Sequence, residues 1–306
     1  MYTTPAVSYL HLNTINQTLM TQHAIRKALP SIEATALVID LRNFTPNLNS
    51  AGCDDAGVNT FCHFLASFYA KCLDSCLQAL PANIRSEPPL YISSTGDGMI
   101  VIFHDSKQHF IHGYLSALLL HRKLTHACAT YNELRTDPAL PRTGFGIGIE
   151  SGTICRVYAE VGNPSGTPVV NTFIGACINT AARAESVSKQ LHRAHTIVCP
   201  QLNQLLCQAL LNVDYDSLQK ASNASDKDDD SRLCALKQMA VYNEQLCMTF
   251  MHLHRLRGLD QPLPLYRLSE STAISGNPRY ERLLRQLVLE DPDHLAEVET
   301  MLFSES

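Results

Sequence analysis

The chain has 306 residues, of which 45% are hydrophobic and 17% charged, and its formal net charge is −5. This balance indicates one or two globular domains and argues against a disordered chain. The lack of a basic excess argues against binding to nucleic acid or an anionic membrane. No apolar run is long enough to cross a membrane, and the first residues do not resemble a signal peptide. Eleven cysteines without such a signal favour a reducing, cytoplasmic location with free thiols.

Hydrophobic periodicity predicts an alternation of helices and strands, which is typical of an α+β or α/β single domain. The predicted helices cover 14–29, 57–79, 107–134, a segment that opens at Gly175, 200–211 and 278–303. The predicted strands cover 36–39, 90–93, 99–103, 144–149, 153–161, 168–174, 195–199, 246–256 and 263–268. Residues 47–57 read as a loop, and the acidic segment 214–232 as a solvated, mobile insertion.

The stretch ALVIDLRNFT, residues 36–45, carries the first functional signal. Its short apolar strand ends at Asp40, and a polar turn follows from Arg42 to Pro46. A carboxylate at a strand end beside a tight turn suits a divalent metal that carries phosphates, because backbone N–H groups of the turn can face phosphate oxygens. Most such aspartates only cap the next turn, so the stretch alone leaves both interpretations open.

The second signal is the sequence STGDG, residues 94–98, which lies between two predicted strands. It predicts a β-hairpin with Asp97 at its tip. In isolation a simple Asp-Gly turn is the favoured interpretation. Together with Asp40, however, it would place two carboxylates at neighbouring strand ends, which is the arrangement of a two-metal site for phosphoryl transfer.

The third signal is a pair of polar residues, Asn179 and Arg183, on the predicted helix after Gly175. Residues four apart share a helix face, so both side chains can reach one site. An ordinary surface pair is the other interpretation. The glycines of strand 144–149 indicate close approach of another backbone. Cys72 with Cys76, and His252 with His254, could each hold a metal, but core packing is favoured for both pairs.

These motifs resemble, in order and spacing, those of class III nucleotidyl cyclase catalytic domains over residues 33–270. The stretch 40–45, DLRNFT, resembles the metal motif of that family, and 95–98, TGDG, its hairpin. The stretch 173–183 resembles its I-G-x-x-[VI]-N-x-A-x-R segment, and Arg257-Gly258 with the following prolines and Tyr266 its closing strand pair.

The resemblance implies an α+β class III cyclase-like fold with a ferredoxin-like βαββαβ core. It also implies a head-to-tail homodimer with two equivalent sites, each needing residues from both protomers. The chain would then consist of an N-terminal helical extension (1–32), the catalytic domain (33–270) and a C-terminal helical tail (271–306).

The resemblance also implies a role for each motif residue. Two Mg²⁺ or Mn²⁺ ions would be bound by Asp40, Asp97 and the Leu41 carbonyl. The triphosphate would be bound by Asn43, Phe44, Thr45 and Arg257. Asn179 would orient the ribose, and Arg183 would stabilise charge at the phosphorus centre in the transition state. The products would be a 3′,5′-cyclic nucleotide and pyrophosphate.

The two base-contacting positions are Ser93 and Thr172, and Ser93 departs from the family pattern. The adenine-specific members have Lys there and the guanine-specific members Glu. A stand-alone chain of this size with Leu-Arg-Asn-Phe-Thr after the first aspartate resembles the pyrimidine cyclases of Pycsar antiphage systems, whose cyclic UMP or cyclic CMP acts on a separate cyclic-nucleotide-binding effector. UTP or CTP is therefore favoured as substrate. An adenylate or guanylate cyclase with an atypical base pocket, and a non-catalytic nucleotide-binding module, are the alternatives.

Overall fold

The structure is a computed structural model that describes residues 31–51, 55–104, 106–135, 139–160, 168–190, 195–223, 229–268, 278–289 and 291–303. In these residues the strands are β1 (Ser31–Arg42), β2 (Leu90–Ser94), β3 (Gly98–Phe103), β4 (Gly144–Glu160), β5 (Pro168–Gly175), β6 (Thr196–Val198), β7 (Met248–His254) and β8 (Leu263–Leu268). The α-helices are α1 (Phe44–Ala51), α2 (Asp55–Gln78), α3 (His109–Leu134), α4 (Ala176–Ser188), α5 (Pro200–Leu211), α6 (Tyr215–Asn223), α7 (Asp229–Gln245), α8 (Pro278–Leu287) and α9 (Pro292–Phe303). The predicted helix 14–29 lies outside the described residues.

The described strands form one mixed sheet in the order β2-β3-β1-β4-β6-β8-β7, and β5 pairs with the second half of β4. Only the β4–β6 pair of these is parallel. The first four strands and the two long helices α2 and α3 follow the order βαββαβ with β1 in the middle of the unit. The expected α+β class with a ferredoxin-like core is confirmed.

The central strand β1 pairs along both edges, with β3 and β4, and its side chains are buried on both faces of the sheet. Leu37, Ile39 and Leu41 join the main core with α2 and α3. Ala34 and Ala36 point to the other face and join a smaller apolar cluster. This double burial fixes the register of β1 and hence the position of Asp40 at its end.

The C-terminal helices are part of the main core. Their apolar face is buried in the same cluster as β1 and α3 through Leu283, Leu284, Leu287, Val298 and Leu302. Arg85 donates two hydrogen bonds of 2.7 Å to the Glu297 carboxylate, and so attaches α9 to the turn after α2. The predicted helical tail is therefore observed as two helices that cover the outer side of the helical layer.

Three predictions of local structure were wrong. The expected loop 47–57 contains the end of α1, because Asn47 is buried and its side chain donates to the carbonyls of Asn43 (2.8 Å) and Pro141 (3.2 Å). The expected insertion 214–232 contains α6 and the start of α7. Asp214 caps α6 by accepting a 3.1 Å hydrogen bond from the Ser217 N–H. The two strands expected at 144–149 and 153–161 are one strand, β4.

No helix of the described residues is long and apolar enough to cross a membrane. The described cysteines are free thiols, and Cys72 and Cys76 are fully buried core residues. His252 lies exposed on β7. Among the described residues no group of three or more His, Cys, Asp or Glu side chains could hold a metal ion. Core packing accounts for the cysteine pair, as predicted.

Helix α4 contacts β4 backbone to backbone, as the glycines of β4 predicted. A Cβ atom on Gly148 would lie 1.9 Å from the Ala181 carbonyl oxygen, and one on Gly146 would lie 2.4 Å from Glu185 Oε1. The small residues Ala181 and Ala184 are fully buried at this contact. The glycines of β4 therefore determine how closely α4 approaches the sheet.

We expect Gly148→Ala to lower the free energy of unfolding by about 3 kcal/mol, because the added methyl group meets a backbone atom that cannot rotate away. Gly144→Ala on the same strand is the matched control, since its Cβ would meet Arg42 Cδ at an ordinary 3.6 Å. Urea denaturation of both variants measures the difference. Equal urea midpoints for the two variants would show that α4 packs less tightly against β4 than this distance implies.

Glu150 on β4 is a buried carboxylate that accepts hydrogen bonds of 2.9 Å from the N–H groups of Ser151 and Leu202. Leu202 lies in the first turn of α5, so Glu150 satisfies a donor at the start of that helix. Burial raises the pKa of Glu150 from its usual 4.5 to about 7. Native Glu150 therefore binds a proton more tightly than unfolded Glu150, and its contribution to stability is complete below pH 4.5 and is lost as the pH rises through 7.

The Glu150→Gln variant is expected to remove this dependence, because Gln stays neutral and still offers an oxygen to the two N–H groups. Between pH 5 and pH 8 the wild-type protein should lose about 3 kcal/mol of stability relative to the variant. Denaturant unfolding at several pH values measures the two curves. Parallel curves would contradict the assignment.

Candidate active site

Two carboxylates meet at the ends of β1 and β3. Asp40 lies opposite Gly98 in the β1–β3 register, and Asp97 immediately precedes that glycine. The Leu41 N–H donates a 2.9 Å hydrogen bond to the Asp97 carbonyl, and the Asp40 and Asp97 side chains are themselves within hydrogen-bonding reach. The two predicted metal ligands are thus brought together by the register of adjacent strands.

The hairpin that carries Asp97 is held by glycines and by a tyrosine. A Cβ on Gly98 would lie 2.3 Å from the Ile39 carbonyl oxygen, so only glycine allows β3 to run this close to β1. Gly96 has a φ of 93°, a conformation that other residues rarely adopt. The Tyr69 hydroxyl of α2 donates a 2.5 Å hydrogen bond to the Gly96 carbonyl. Tyr69 belongs to no recognisable sequence pattern, since this contact joins distant parts of the chain.

The charges at this point suit a divalent cation. Burial raises the pKa of Asp40 and the negative Asp97 raises it further, while Lys189 acts in the opposite direction. The Lys189 ammonium lies 2.5 Å from Asp40 Oδ2, where it balances the carboxylate as a metal ion would. Two adjacent carboxylates with a cation already paired to one of them fit Mg²⁺ or Mn²⁺, which prefer oxygen ligands.

The predicted phosphate-binding turn is held in one conformation by side-chain amides. Asn43 adopts a left-handed φ of 59°, and its side chain donates a 2.8 Å hydrogen bond to the Arg142 carbonyl. Helix α1 starts directly afterwards at Phe44. The N–H groups of Phe44 and Thr45 therefore belong to the first turn of a helix, where they have no partner within the helix and can bind an anion.

These residues surround a cleft of about 900 Å³. Its lining consists of residues 40–46, Asp97, Arg142, Gly144, Lys189 and His195. The ring of His195 stacks on Phe145 with centroids 4.9 Å apart. Arg142, Lys189 and His195 were missed from the sequence, because none of them belongs to a recognisable motif.

The remaining predicted catalytic residues lie outside this cleft. Arg183 on α4 packs against Gly258 in the β7–β8 turn, where an added Cβ would lie 3.2 Å from Arg183 Nη2. Arg257 precedes that glycine and is exposed, as is Asn179. The structure thus groups Arg183 with the turn that carries Arg257, and a single protomer does not bring this group into the Asp40–Asp97 cleft.

Tyr91 contacts one of the two predicted base positions and lies two residues before the other. The Tyr91 hydroxyl of β2 donates a 3.4 Å hydrogen bond to Thr172 Oγ1 of β5, and the Tyr91 ring packs edge-on against Phe173 at 5.1 Å. Ser93 is half-buried two residues after Tyr91, so both side chains project from the same face of β2. Tyr91 was not singled out from the sequence, where it reads as an ordinary strand residue.

Comparison with solved structures identifies the fold. The adenylyl cyclase CyaB from P. aeruginosa superimposes with a TM-score of 0.51 at 14% identity, over 82% of this chain and 100% of that chain. The chain has the class III nucleotide cyclase fold. The guanylyl cyclase Cya2 matches with a TM-score of 0.49 at 15% identity, over 81% of this chain and 99% of that chain. No family model and no curated protein matches the sequence.

Proposed function

We propose that the protein is a nucleotidyl cyclase that converts a nucleoside triphosphate, UTP or CTP in preference to a purine nucleotide, into a 3′,5′-cyclic monophosphate and pyrophosphate. The observation that carries the proposal is the Asp40–Asp97 pair beside the N-terminus of α1 in a 900 Å³ cleft, within a cyclase fold. Carboxylates for metals and N–H groups for phosphates are the two parts that phosphoryl transfer requires.

In this proposal the chain's own residues bind and orient the triphosphate. Asp40, Asp97 and the Leu41 carbonyl would hold two Mg²⁺ or Mn²⁺ ions. When bound, these ions neutralise phosphate charge and lower the pKa of the ribose 3′-hydroxyl. Asn43, Phe44 and Thr45 offer backbone N–H groups to the β- and γ-phosphates, and the start of α1 favours negative charge there.

A second protomer completes the site. Asn179 would orient the ribose, Arg183 would stabilise charge on the α-phosphate in the transition state, and Arg257 would contact the triphosphate. Their separation from the cleft within one protomer supports a head-to-tail homodimer. The exposed apolar side chain of Ile174 on β5, 58% accessible, supports a partner that covers it.

The preference for a pyrimidine rests on the base positions. Ser93 lacks a long polar side chain that could hydrogen-bond to the edge of a purine base. The Tyr91 ring reduces the room beside Thr172. A smaller base fits such a pocket better. Resemblance to the Pycsar cyclases further implies an antiphage messenger that acts on a separate effector.

The test is incubation of the purified protein with ATP, GTP, CTP and UTP, each with Mn²⁺, followed by mass analysis of the products. We expect a cyclic pyrimidine monophosphate and pyrophosphate. Formation of cyclic AMP or cyclic GMP would support the cyclase reaction and contradict the pyrimidine preference. No pyrophosphate from any nucleotide would favour the non-catalytic nucleotide-binding module.

A further inference from the structure

Among the described residues, Lys189 is the cation that pairs with Asp40, and no motif assigns it a role. It directly follows α4 and projects into the cleft. Its ammonium lies 2.5 Å from Asp40 Oδ2 and 3.4 Å from Glu185 Oε2, so it bridges two acids. One of them, Asp40, is a proposed metal ligand, and the other is not.

Glu185 forms the second ion pair of Lys189. The Glu185 side chain is only 4% exposed, and its Oε1 points at Gly146, where an added Cβ would come within 2.4 Å. Among the described residues this oxygen has no hydrogen-bond partner. A buried carboxylate is strongly destabilising without a nearby cation, and of the two cations that act on Glu185, Lys189 and Arg42, Lys189 contributes more.

A divalent ion at Asp40 changes what Lys189 can bind. Asp40 would hold such an ion in place of the ammonium, while Glu185 would keep the ammonium inside the cleft. The nearest new source of negative charge is then the polyphosphate that enters with the metal. Arg142 lines the same cleft but is exposed, and Arg42 is engaged by Ser188 through hydrogen bonds of 2.7 and 3.0 Å.

We propose that Lys189 is a nucleotide-binding residue that pairs with Asp40 in the absence of metal and with the β- or γ-phosphate when metal and nucleotide are bound. Glu185 is its positioning residue. The proposal rests on the proposed function, because it takes the triphosphate as the ligand of the cleft. A purely structural ion pair between α4 and β1 is the competing explanation.

The two explanations predict different signs for two binding constants of the full-length protein. In Lys189→Gln, Mn²⁺ alone should bind about tenfold more tightly, because the ammonium that competes for Asp40 is gone. Inorganic tripolyphosphate with Ca²⁺ should bind about tenfold more weakly to the same variant, because a charge-assisted hydrogen bond is lost. Isothermal titration calorimetry measures both. Lys189→Arg should keep most of the tripolyphosphate affinity.

The matched control is Lys220→Gln, which removes an equal charge from an exposed ion pair with Asp216 on α6 and should change neither constant. Tripolyphosphate affinity in Lys189→Gln equal to that of the wild type overturns the proposal, as does a parallel weakening of both ligands with a lower melting temperature. Glu185→Gln should weaken tripolyphosphate binding as well, because the ammonium is no longer held in the cleft.

These measurements separate the proposal from the proposed function. Tripolyphosphate carries no base and does not react, so the ratio of its affinities for the wild type and for Lys189→Gln tests the role of Lys189 alone. Formation of a cyclic nucleotide by the wild-type protein judges the function. A wild-type protein that turns over a nucleotide while Lys189→Gln retains full affinity would reject only the role of Lys189.

Discussion

Replacement of Asp97 by alanine is expected to lower the proposed cyclase activity by about 10³-fold or more, because one of the two carboxylates proposed to hold the metal ions is lost. The substitution removes a half-buried acid beside a second acid, so the fold should tolerate it. Asp40 loses a neighbouring negative charge and keeps Lys189 as its partner. We therefore expect the melting temperature and the oligomeric state to stay close to those of the wild type.

The experiment compares initial rates of pyrophosphate release, with the nucleotide that the wild type uses and with saturating Mn²⁺. Asp230→Ala is the control, since Asp230 is an exposed acid on α7 and its loss should leave the rate unchanged. Asp40→Ala should behave like Asp97→Ala. A variant of either aspartate with a rate within tenfold of the wild type would reject the two-metal assignment.

Mixing of two inactive variants should restore activity if each site is shared between protomers. Asp97→Ala lacks a residue of the cleft, and Arg183→Ala lacks a residue that lies outside it in the same protomer. A mixed head-to-tail dimer contains one site with both residues intact and one with neither. At equal amounts and random exchange, about a quarter of the wild-type activity is expected.

The control for this experiment is a mixture of Asp40→Ala with Asp97→Ala. Both substitutions affect the same half of the site, so no combination of protomers contains an intact one. Exchange of subunits is verified with protomers of different mass in native mass spectrometry. Proven exchange without recovered activity would reject a site shared between two copies of the chain.

The sequence predicted those parts of the fold that depend on local patterns. Short apolar stretches predicted β1, β2 and β3, and the helical spacing of apolar residues predicted α2 and α3, because these elements contribute side chains to the core. The glycine positions predicted that another backbone approaches β4 closely, and the structure identifies that backbone as α4. The adjacency of Asp40 and Asp97 followed from two turns at strand ends, and their catalytic role stays a prediction.

Contacts between distant residues could not be predicted in this way. Helix α1 forms in a polar stretch because Asn47 finds the Pro141 carbonyl, and no local pattern indicates that partner. Lys189 reaches Asp40 only because α4 crosses the sheet next to the end of β1. Tyr91 reaches Thr172 only because the fold brings β2 and β5 together, although they are far apart in the sequence. The contacts of Lys189 and Tyr91 are therefore known from the structure alone.

The contact between α4 and β4 has a consequence for timing. Because the Ala181 carbonyl rests directly over Gly148, the helix has no room to slide or tilt towards the sheet. Lys189 follows the end of that fixed helix, so it must leave Asp40 by rotation of its own side chain. Side-chain rotations take picoseconds to nanoseconds, whereas helix displacements take about microseconds or longer. The departure of Lys189 should therefore be much faster than a turnover, and metal binding should show no slow phase.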